Sequence, residues 1–350
     1  MHIAIDVTPL ESDHSGRGIG VYTKLLIKSL QSHEHKHTYH LFTRGQKIPD
    51  TIDLVHYPYF DPFFLTLPLV KVKPTVVTVH DLIPLVFPDK FPAGLRGNIK
   101  WQIQKLSLTG TKRIITDSKC SRDDVSKIIG IDKNRIDVVY LAADPCFQPA
   151  DGHHVESTRK KYSLTKPYFL YVGDVNWNKN VQGLIRAFAS LQSKAKISDY
   201  MLVLVGDSFT RETLVETKEI NRLISELGIE RSIQRVGRIS NEDLIGLYSG
   251  AISLVQPSFY EGFGLPVLEA MSCGCPVVSS DVSSLREILG TSIRIFPEDL
   301  LSIAEGMMKV SGMTTQERSN LTEKGRKWVS TFNWQKVARE TVTAYERTLL

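Results

Sequence analysis

The sequence predicts an α/β protein of two domains, each built on a parallel sheet with helices on both faces. Three observations carry this. A length of 350 residues exceeds what one hydrophobic core normally serves. Short apolar runs alternate with amphipathic helical stretches along both halves, the pattern of parallel strands whose connections must cross back over the sheet. The alternation breaks over residues 141–166, which hold Pro145, Pro149 and the polar run DGHHVESTRKK and form the best linker candidate. Two such domains in tandem create a cleft that the C-terminal strand ends of each can line.

Taken in order, HIAID at His2 to Asp6 predicts a buried strand. The polar loop TPLESDHSGRGIG follows, then a helix with apolar positions Ile19, Tyr22, Leu25, Leu26 and Leu30. Gly16, Gly18 and Gly20 let a backbone approach a phosphate closely at the helix start, or serve as a flexible turn. Their G-x-G-x-G spacing lies some way beyond the strand. It is not the G-x-G-x-x-G of a dinucleotide fold, and no G-x-x-x-x-G-K-[ST] phosphate loop occurs. Strands are expected at Tyr39 to Phe42, Asp53 to His56 and Thr75 to His80, the last delivering His80 and Asp81 at a ligand-binding strand end. HYPYFDPFFLTLP and DLIPLVFPDKFP are rich in proline and aromatics and read as irregular loops that bind an acceptor, touch a membrane or pack over the core. A helix near Leu95 to Leu108, a strand at Arg113 to Asp117, a helix from Ser121 to Ile129 and a strand at Ile136 to Tyr140 complete this half.

The second half restarts the alternation. Strands are expected at Tyr168 to Val172, Met201 to Val205, Ile233 to Val236, Ile252 to Gln256 and Pro276 to Ser280. Helices are expected at Val181 to Leu191, Thr213 to Leu227 and Asn241 to Tyr248. Three further helices close the chain, near Leu300 to Val310, Thr315 to Ser330 and Trp334 to Leu350. The stretch that organises this half is QPSFYEGFGLPVLEAMSCGCPVVSSD, from Gln256 to Asp281. Glu261 and Glu269 flank Gly262, Phe263, Gly264 and Leu265. Pro266 opens a short helix, which Gly274 is placed to end in a left-handed cap. A glycine loop entering a helix leaves unpaired N–H groups at the positive end of the helix dipole, a seat for phosphate.

Composition narrows the function classes. Hydrophobic content of 42% and charged content of 23% are those of a soluble globular protein, and no apolar run approaches the length of a membrane span or a signal peptide, which predicts a cytoplasmic protein. The four cysteines lack zinc-ribbon or C-x-x-C spacing and read as reduced, mostly buried thiols. His33, His35 and His37 alternate without accompanying carboxylate or cysteine ligands and read as a solvated turn rather than a metal site. The net charge of +5 is unevenly placed. Eleven Lys or Arg against four Asp between Lys90 and Arg135 give a local balance of +7, either solvated helix faces or a patch for anionic partners, namely lipid head groups, phosphorylated acceptors or nucleic acid.

The residues resemble a known family, the retaining glycosyltransferases of family four. Its signature of two glutamates separated by seven residues lies within Pro257 to Asp281. Phrases in the family's order are GRGIGVYT at Gly16 to Thr23, VTVHDLIP at Val77 to Pro84, TDSKCSRDD at Thr116 to Asp124, IDVVYLAAD at Ile136 to Asp144, and YVGDVNWNKN at Tyr171 to Asn180 followed by LIRAF. The resemblance covers nearly the whole chain and implies the GT-B fold, two Rossmann-like domains with parallel sheets facing across a cleft. Residues 1–160 would form the acceptor-side domain and 161–333 the nucleotide-sugar donor domain, with 334–350 a C-terminal helix packing back on the first. By the same resemblance, Glu269 binds the nucleotide ribose, Glu261 stands near the donor sugar, the Gly262 to Leu265 loop approaches sugar and phosphate, and Lys179 neutralises the diphosphate. His80, or neighbouring Asp81, reaches the reacting sugar. An arginine common near the family's lysine is missing before Lys179, and Arg238 or Arg17, beside Gly18 and Gly20, is the expected substitute.

The implied activity moves a hexose, GDP-mannose being the first expectation, from a nucleotide diphosphate sugar to a glycan or lipid-linked acceptor in polysaccharide synthesis, with retained anomeric configuration. The resemblance within the family is to bacterial mannosyl- and rhamnosyltransferases of surface polysaccharide. No cofactor beyond the donor is expected. Absence of D-x-D spacing predicts metal independence, and no nucleic-acid partner is expected. Peripheral contact of the basic 90–135 region with an anionic membrane at the cytoplasmic face is. Two other classes stay open, a nucleotide-sugar epimerase of the same fold and a non-catalytic nucleotide-sugar-binding protein.

Overall fold

The computed structural model describes residues 1–11, 18–193 and 199–350. The chain divides into two compact units, Met1–Ala142 with Phe332–Leu350, and Ala143–Thr331. The division after Ala142 precedes the expected boundary at residue 160, because the stretch read as linker contains a helix that packs within the second unit.

In the first unit the strands are β1 (His2–Asp6), β2 (Thr38–Phe42), β3 (Leu54–Tyr57), β4 (Thr75–Val79), β5 (Arg113–Thr116) and β6 (Ile136–Val138), and they pair in the order β2-β1-β3-β4-β5-β6. All these pairings are parallel. Fully buried β4, TVVTV, shows why the strands read as apolar runs, since helices cover both faces of a parallel sheet. The helices are α1 (Thr8–Glu11), α2 (Gly18–His33), α3 (Ile83–Val86), α4 (Gly94–Thr109) and α5 (Lys119–Ile129). Short α3 lies in a segment expected to be irregular. Ser118 caps α5 by accepting from the Ser121 N–H at 3.0 Å, and Gly130, at φ +85°, ends it.

The C-terminal helix Trp334–Leu349 is anchored in this unit. Ser29 Oγ donates to the Trp334 carbonyl at 2.6 Å, and Arg347 reaches Asp137 at 2.7 Å. His56 bonds the Tyr345 hydroxyl at 2.7 Å and Thr78 Oγ1 at 2.8 Å, while burial pulls its pKa down to about 3, so it is a neutral core histidine.

The second unit begins with α6 (Gly152–Lys161), the helix within the expected linker. Its polar sequence shows no apolar stripe, and among its residues Thr158 is the buried one. Thr158 packs against Gly246 of the helix α9 described next, where a Cβ would overlap its hydroxyl. The strands are β7 (Tyr168–Val172), β8 (Met201–Val205), β9 (Ile233–Val236), β10 (Ser253–Gln256), β11 (Val277–Ser280) and β12 (Ile293–Ile295). The helices are α7 (Val181–Ser193), α8 (Val215–Glu226), α9 (Asn241–Gly250), α10 (Leu265–Ser272), α11 (Leu285–Ile288), α12 (Leu300–Ser311) and α13 (Thr315–Val329). The order β12-β11-β10-β7-β8-β9 is, counted from β7, the 3-2-1-4-5-6 order of a dinucleotide-type sheet. Short β12 and α11 were not expected from the sequence.

Cys273 and Cys275 are buried, but Cys146 is exposed and Cys120 half-buried, so the thiols are less sequestered than expected. No helix among the described residues is long and apolar enough to cross a membrane.

Candidate active site

In a doubly wound sheet the strand order reverses at one point, and ligands bind beyond the carboxyl ends of the two strands that meet there. In the second unit that point is the β7/β10 pair. The loops leaving it, residues 173–180 and 257–264, are stitched together by the Asn178 carbonyl, which accepts from the Phe259 N–H at 2.8 Å, and by the Asn178 side chain, which donates to the Tyr260 carbonyl at 2.9 Å. Asn180, at φ +52°, donates to the Pro257 and Pro297 carbonyls at 3.1 and 2.8 Å. Trp177 stacks on Phe259 with centroids 5.0 Å apart. The tight exit from β7 needs glycine opposite it, since a Cβ on Gly206 (φ +159°) would overlap the Gly173 carbonyl.

This scaffold brings Lys179 and Glu261 together. Lys179 Nζ lies 2.9 and 2.7 Å from the two Glu261 oxygens, and Oε1 also accepts from Gln256 Nε2 at 2.8 Å and Ser258 Oγ at 2.7 Å. Glu261 is 5% exposed, and its backbone is clamped by Ser283 and Ser284. The lysine expected on the diphosphate is therefore paired with the glutamate expected at the sugar.

The loop beyond Glu261 enters α10 as expected. Gly262, Phe263 and Gly264 are buried. Gly264, at φ +105°, precedes Leu265 and Pro266, and a Cβ there would stand 2.6 Å from Leu285 Cδ2. α10 ends in a Schellman motif, the Cys275 N–H donating to the Ala270 carbonyl at 2.8 Å and the Gly274 N–H to Met271 at 3.1 Å. Glu269, five residues beyond the Gly264 cap, accepts from the Tyr248 hydroxyl at 3.0 Å. Burial pushes its carboxyl up to about 7; the Tyr248 hydrogen bond opposes this and the Asp144 charge adds to it.

Arg238 is exposed beyond β9, two strands from β7 and so about 10 Å across the sheet from it, outside the Lys179–Glu261 cluster. Arg17 lies outside the described residues. In the first unit, Gly18 and Gly20 open α2, Gly18 exposed and Gly20 buried. His80 follows β4 with both ring nitrogens engaged. Nε2 donates to the Pro58 carbonyl at 3.1 Å, and Nδ1 lies 2.6 Å from Asp117 Oδ2. Tyr22 meets the ring edge-on at 4.7 Å, and Ser121 Oγ donates to the His80 carbonyl at 2.9 Å. Burial would lower the His80 pKa, but the Asp117 charge and hydrogen bond, with Asp81 and the Pro58 carbonyl, raise it. Asp81 caps the following turn by accepting from the Ile83 N–H at 3.0 Å.

Sequence reasoning did not find Asp117, Tyr248, Gln256 and Ser258, the partners of the candidate residues. Asp117 sits in the TDSKCSRDD phrase and was within reach; Tyr248 reads as an ordinary helix residue. Among the described residues no group of three His, Cys, Asp or Glu stands where it could hold a metal.

Comparison with known proteins bears on this geometry. The profile of glycosyl transferases group 1 matches residues 155–328, and that of glycosyltransferase family 4 matches residues 46–146. The O-antigen chain mannosyltransferase B of Escherichia coli is 31% identical over 298 residues, spanning 84% of this chain and 75% of that protein. The serotype-specific mannosyltransferase WbdA of Escherichia coli is 29% identical over 269 residues, which span 75% of this chain but 32% of WbdA. Sucrose-phosphate synthase from Thermosynechococcus elongatus shares the fold, with a TM-score of 0.76 at 20% identity over 99% of this chain and 98% of that one. Two Rossmann-like units of the GT-B type, profile matches in both and a mannosyltransferase relative at 31% identity together show that the chain belongs to glycosyltransferase family 4, the glycosyl transferases of group 1.

Proposed function

We propose that the protein is a cytoplasmic, retaining mannosyltransferase that moves mannose from GDP-mannose to a glycan or lipid-linked acceptor in polysaccharide synthesis, without a metal. The observation that carries this is the Lys179–Glu261 pair at the β7/β10 strand ends, a cation whose partner a phosphate can replace. The mannosyltransferase relatives support the choice of sugar, and the lack of D-x-D spacing supports metal independence.

In this reading the donor diphosphate draws Lys179 from Glu261, which keeps Gln256 and Ser258 as donors and turns its freed oxygen to the sugar. As the bond from the anomeric carbon to the phosphate oxygen breaks, charge grows on the phosphate. Lys179, the α10 opening at Gly262 to Leu265, and Arg238 or Arg17 stabilise it by preorganised electrostatics. The acceptor hydroxyl attacks from the face the phosphate leaves and gives its proton to that phosphate. Glu269 takes the ribose hydroxyls, and His80, Gly18 and Gly20 keep their family roles toward the donor. Peripheral contact of the basic 90–135 region with an anionic membrane brings a lipid-linked acceptor within reach.

The test is a nucleotide-sugar panel scored by thermal stabilisation, followed by acceptor-dependent release of nucleoside diphosphate with and without EDTA. GDP-mannose should stabilise most, release should survive EDTA, and Glu261→Gln should abolish release while GDP still stabilises. Donor binding without release for any glycan acceptor would leave a binding protein, and a converted free donor would leave an epimerase.

A further inference from the structure

We infer that the outer face of a platform built from residues 61–73 and helix α4 inserts into an anionic lipid bilayer. This deepens the membrane part of the proposed function, on which it rests, and relocates the contact within the chain.

The loop lies along α4 and is tied to it at successive turns. Phe63 packs against Gly97, and Lys100 Nζ stands 5.1 Å over the Phe64 ring. Gln104 Oε1 accepts from the Thr66 hydroxyl at 2.9 Å and the Leu67 N–H at 3.2 Å. Farther on, Lys71 Nζ donates to the Ser107 carbonyl at 2.5 Å, and Ser107 Oγ donates to the Pro68 carbonyl at 2.6 Å. From Gly97 to Ser107 these ties span about 15 Å of helix. With its polar groups turned inward, the platform leaves Phe64, Leu65, Leu69, Val70 and Val72 of the loop exposed. Leu95, Ile99 and Leu106 of α4 are exposed too, on one helical face at spacings of four and seven, and Val70 and Leu95 are each 79% exposed. A patch of this kind on a folded unit marks an interaction surface.

Charge selects the occupant. Residues 61–112 hold seven Lys or Arg against three Asp and no Glu; Lys71 and Lys73 turn onto the Ser107 and Asp50 carbonyls, which leaves Arg96 and Lys100 as the cations beside the apolar side chains. Arg96 is exposed beside Leu95, and Lys100 sits against Phe64. Apolar side chains flanked by cations fit an acyl boundary beneath anionic head groups. A second copy would set these cations against their own like. Several cations farther along the basic region are paired with carboxylates or carbonyls of the chain itself. Arg113 pairs with Asp137 at 2.6 Å, Lys133 and Arg122 share Asp123 at 2.8 and 3.2 Å, and Arg135 donates to the Thr109 carbonyl at 3.2 Å. Residues 113–135 expose no large hydrophobic side chain, so the contact belongs to residues 64–106.

The experiment is co-sedimentation of the full chain with vesicles of phosphatidylcholine alone or mixed with phosphatidylglycerol, with GDP-induced thermal stabilisation measured in parallel. Wild type should bind the anionic vesicles and lose binding as salt rises. Val70→Asp with Leu95→Asp alters side chains that pack on little and should cut partitioning by at least about tenfold. Arg96→Gln with Lys100→Gln should cut it by about fivefold per cation at low salt. GDP stabilisation should be the same in all three proteins. Wild type that ignores anionic vesicles, or an aspartate variant that binds them as well as wild type, overturns the inference; so does loss of a dimer in the variants with vesicle binding unchanged. Absence of GDP stabilisation beside intact vesicle binding would instead sink the transferase reading and leave this surface standing.

Discussion

Lys179–Glu261 in the second unit and His80–Asp117 in the first are both cation–carboxylate pairs just beyond the ends of parallel strands, but they differ in what else holds the cation. The Lys179 ammonium sits at the end of a flexible stem, 22% exposed, with its hydrogen bonds directed to Glu261, while Glu261 has two further donors to fall back on. The His80 ring is pinned by Asp117, by the Pro58 carbonyl and by the Tyr22 edge. One pair stores a charge that can move to an incoming anion; the other fixes a ring in place. The pair distances, 2.7 and 2.6 Å, are nearly equal, so the function of each ion pair lies in the alternative partners that its members keep.

The largest effect should come from the movable cation. Lys179→Met removes charge stabilisation of the leaving phosphate and should lower kcat by about a thousandfold. It also leaves buried Glu261 without its cation. Because Lys179 is partly exposed, the cost is about 2 kcal/mol, below the range for a fully buried pair, and the Tm should fall by several degrees. A Lys179→Met enzyme with unchanged kcat would show that the Lys179 charge does not move to the leaving phosphate. Next comes the rigid frame around the pair. Gly264→Ala must hold a left-handed φ of +105° and displace Leu285, which should cost about 3 kcal/mol in denaturant unfolding. A variant as stable as wild type would mean that the loop has room to readjust.

How much of this was legible in the sequence depends on the range of the cause. The α10 entry and exit are local, and Gly264, Pro266 and Gly274 announce them through backbone chemistry. The β7/β10 switch point follows from alternation and strand order, which periodicity nearly supplies. The pairing of Lys179 with Glu261 does not follow, because nothing local links residues 82 positions apart; it arises from Asn178 stitching two loops. Helix α6 was hidden because it packs through Thr158 on a glycine rather than through an apolar stripe, and β12 because three residues, Ile-Arg-Ile, carry no period. The exposed apolar platform was visible as proline- and aromatic-rich loops, but only its ties to α4 show which side chains stay outside.

A smaller effect is expected at the nucleotide side of the site. Glu269 titrates near pH 7, and ribose hydroxyls donate best to its ionised form, so nucleotide binding must draw off a proton. The GDP Kd should rise about tenfold from pH 8 to pH 6, and Glu269→Gln should flatten that dependence. In the free protein the sign is reversed. A carboxyl whose folded pKa is raised binds more protons folded than unfolded, so its contribution to stability falls as pH rises from about 4.5 toward 7. A pH-independent Kd in wild type would remove Glu269 from the ribose.

The smallest effect tests the locked pair. The raised His80 pKa means that its contribution to stability is complete below the unfolded value of about 6.5 and is lost as pH climbs through the folded value. Burial also raises the Asp117 pKa against the pull of His80, so ionising that carboxyl opposes folding in the same direction. Asp117→Asn removes both. The difference in Tm between wild type and this variant should therefore shrink as pH rises from 6 toward 9, whatever the other titrating groups contribute, because those are common to both proteins. Turnover should drop a few-fold, with the loss in kcat, since the amide still positions the ring but no longer holds its charge. A loss as deep as that of Lys179→Met would show that the His80 charge also responds to the reacting centre, and the distinction between a stored and a fixed charge would fail.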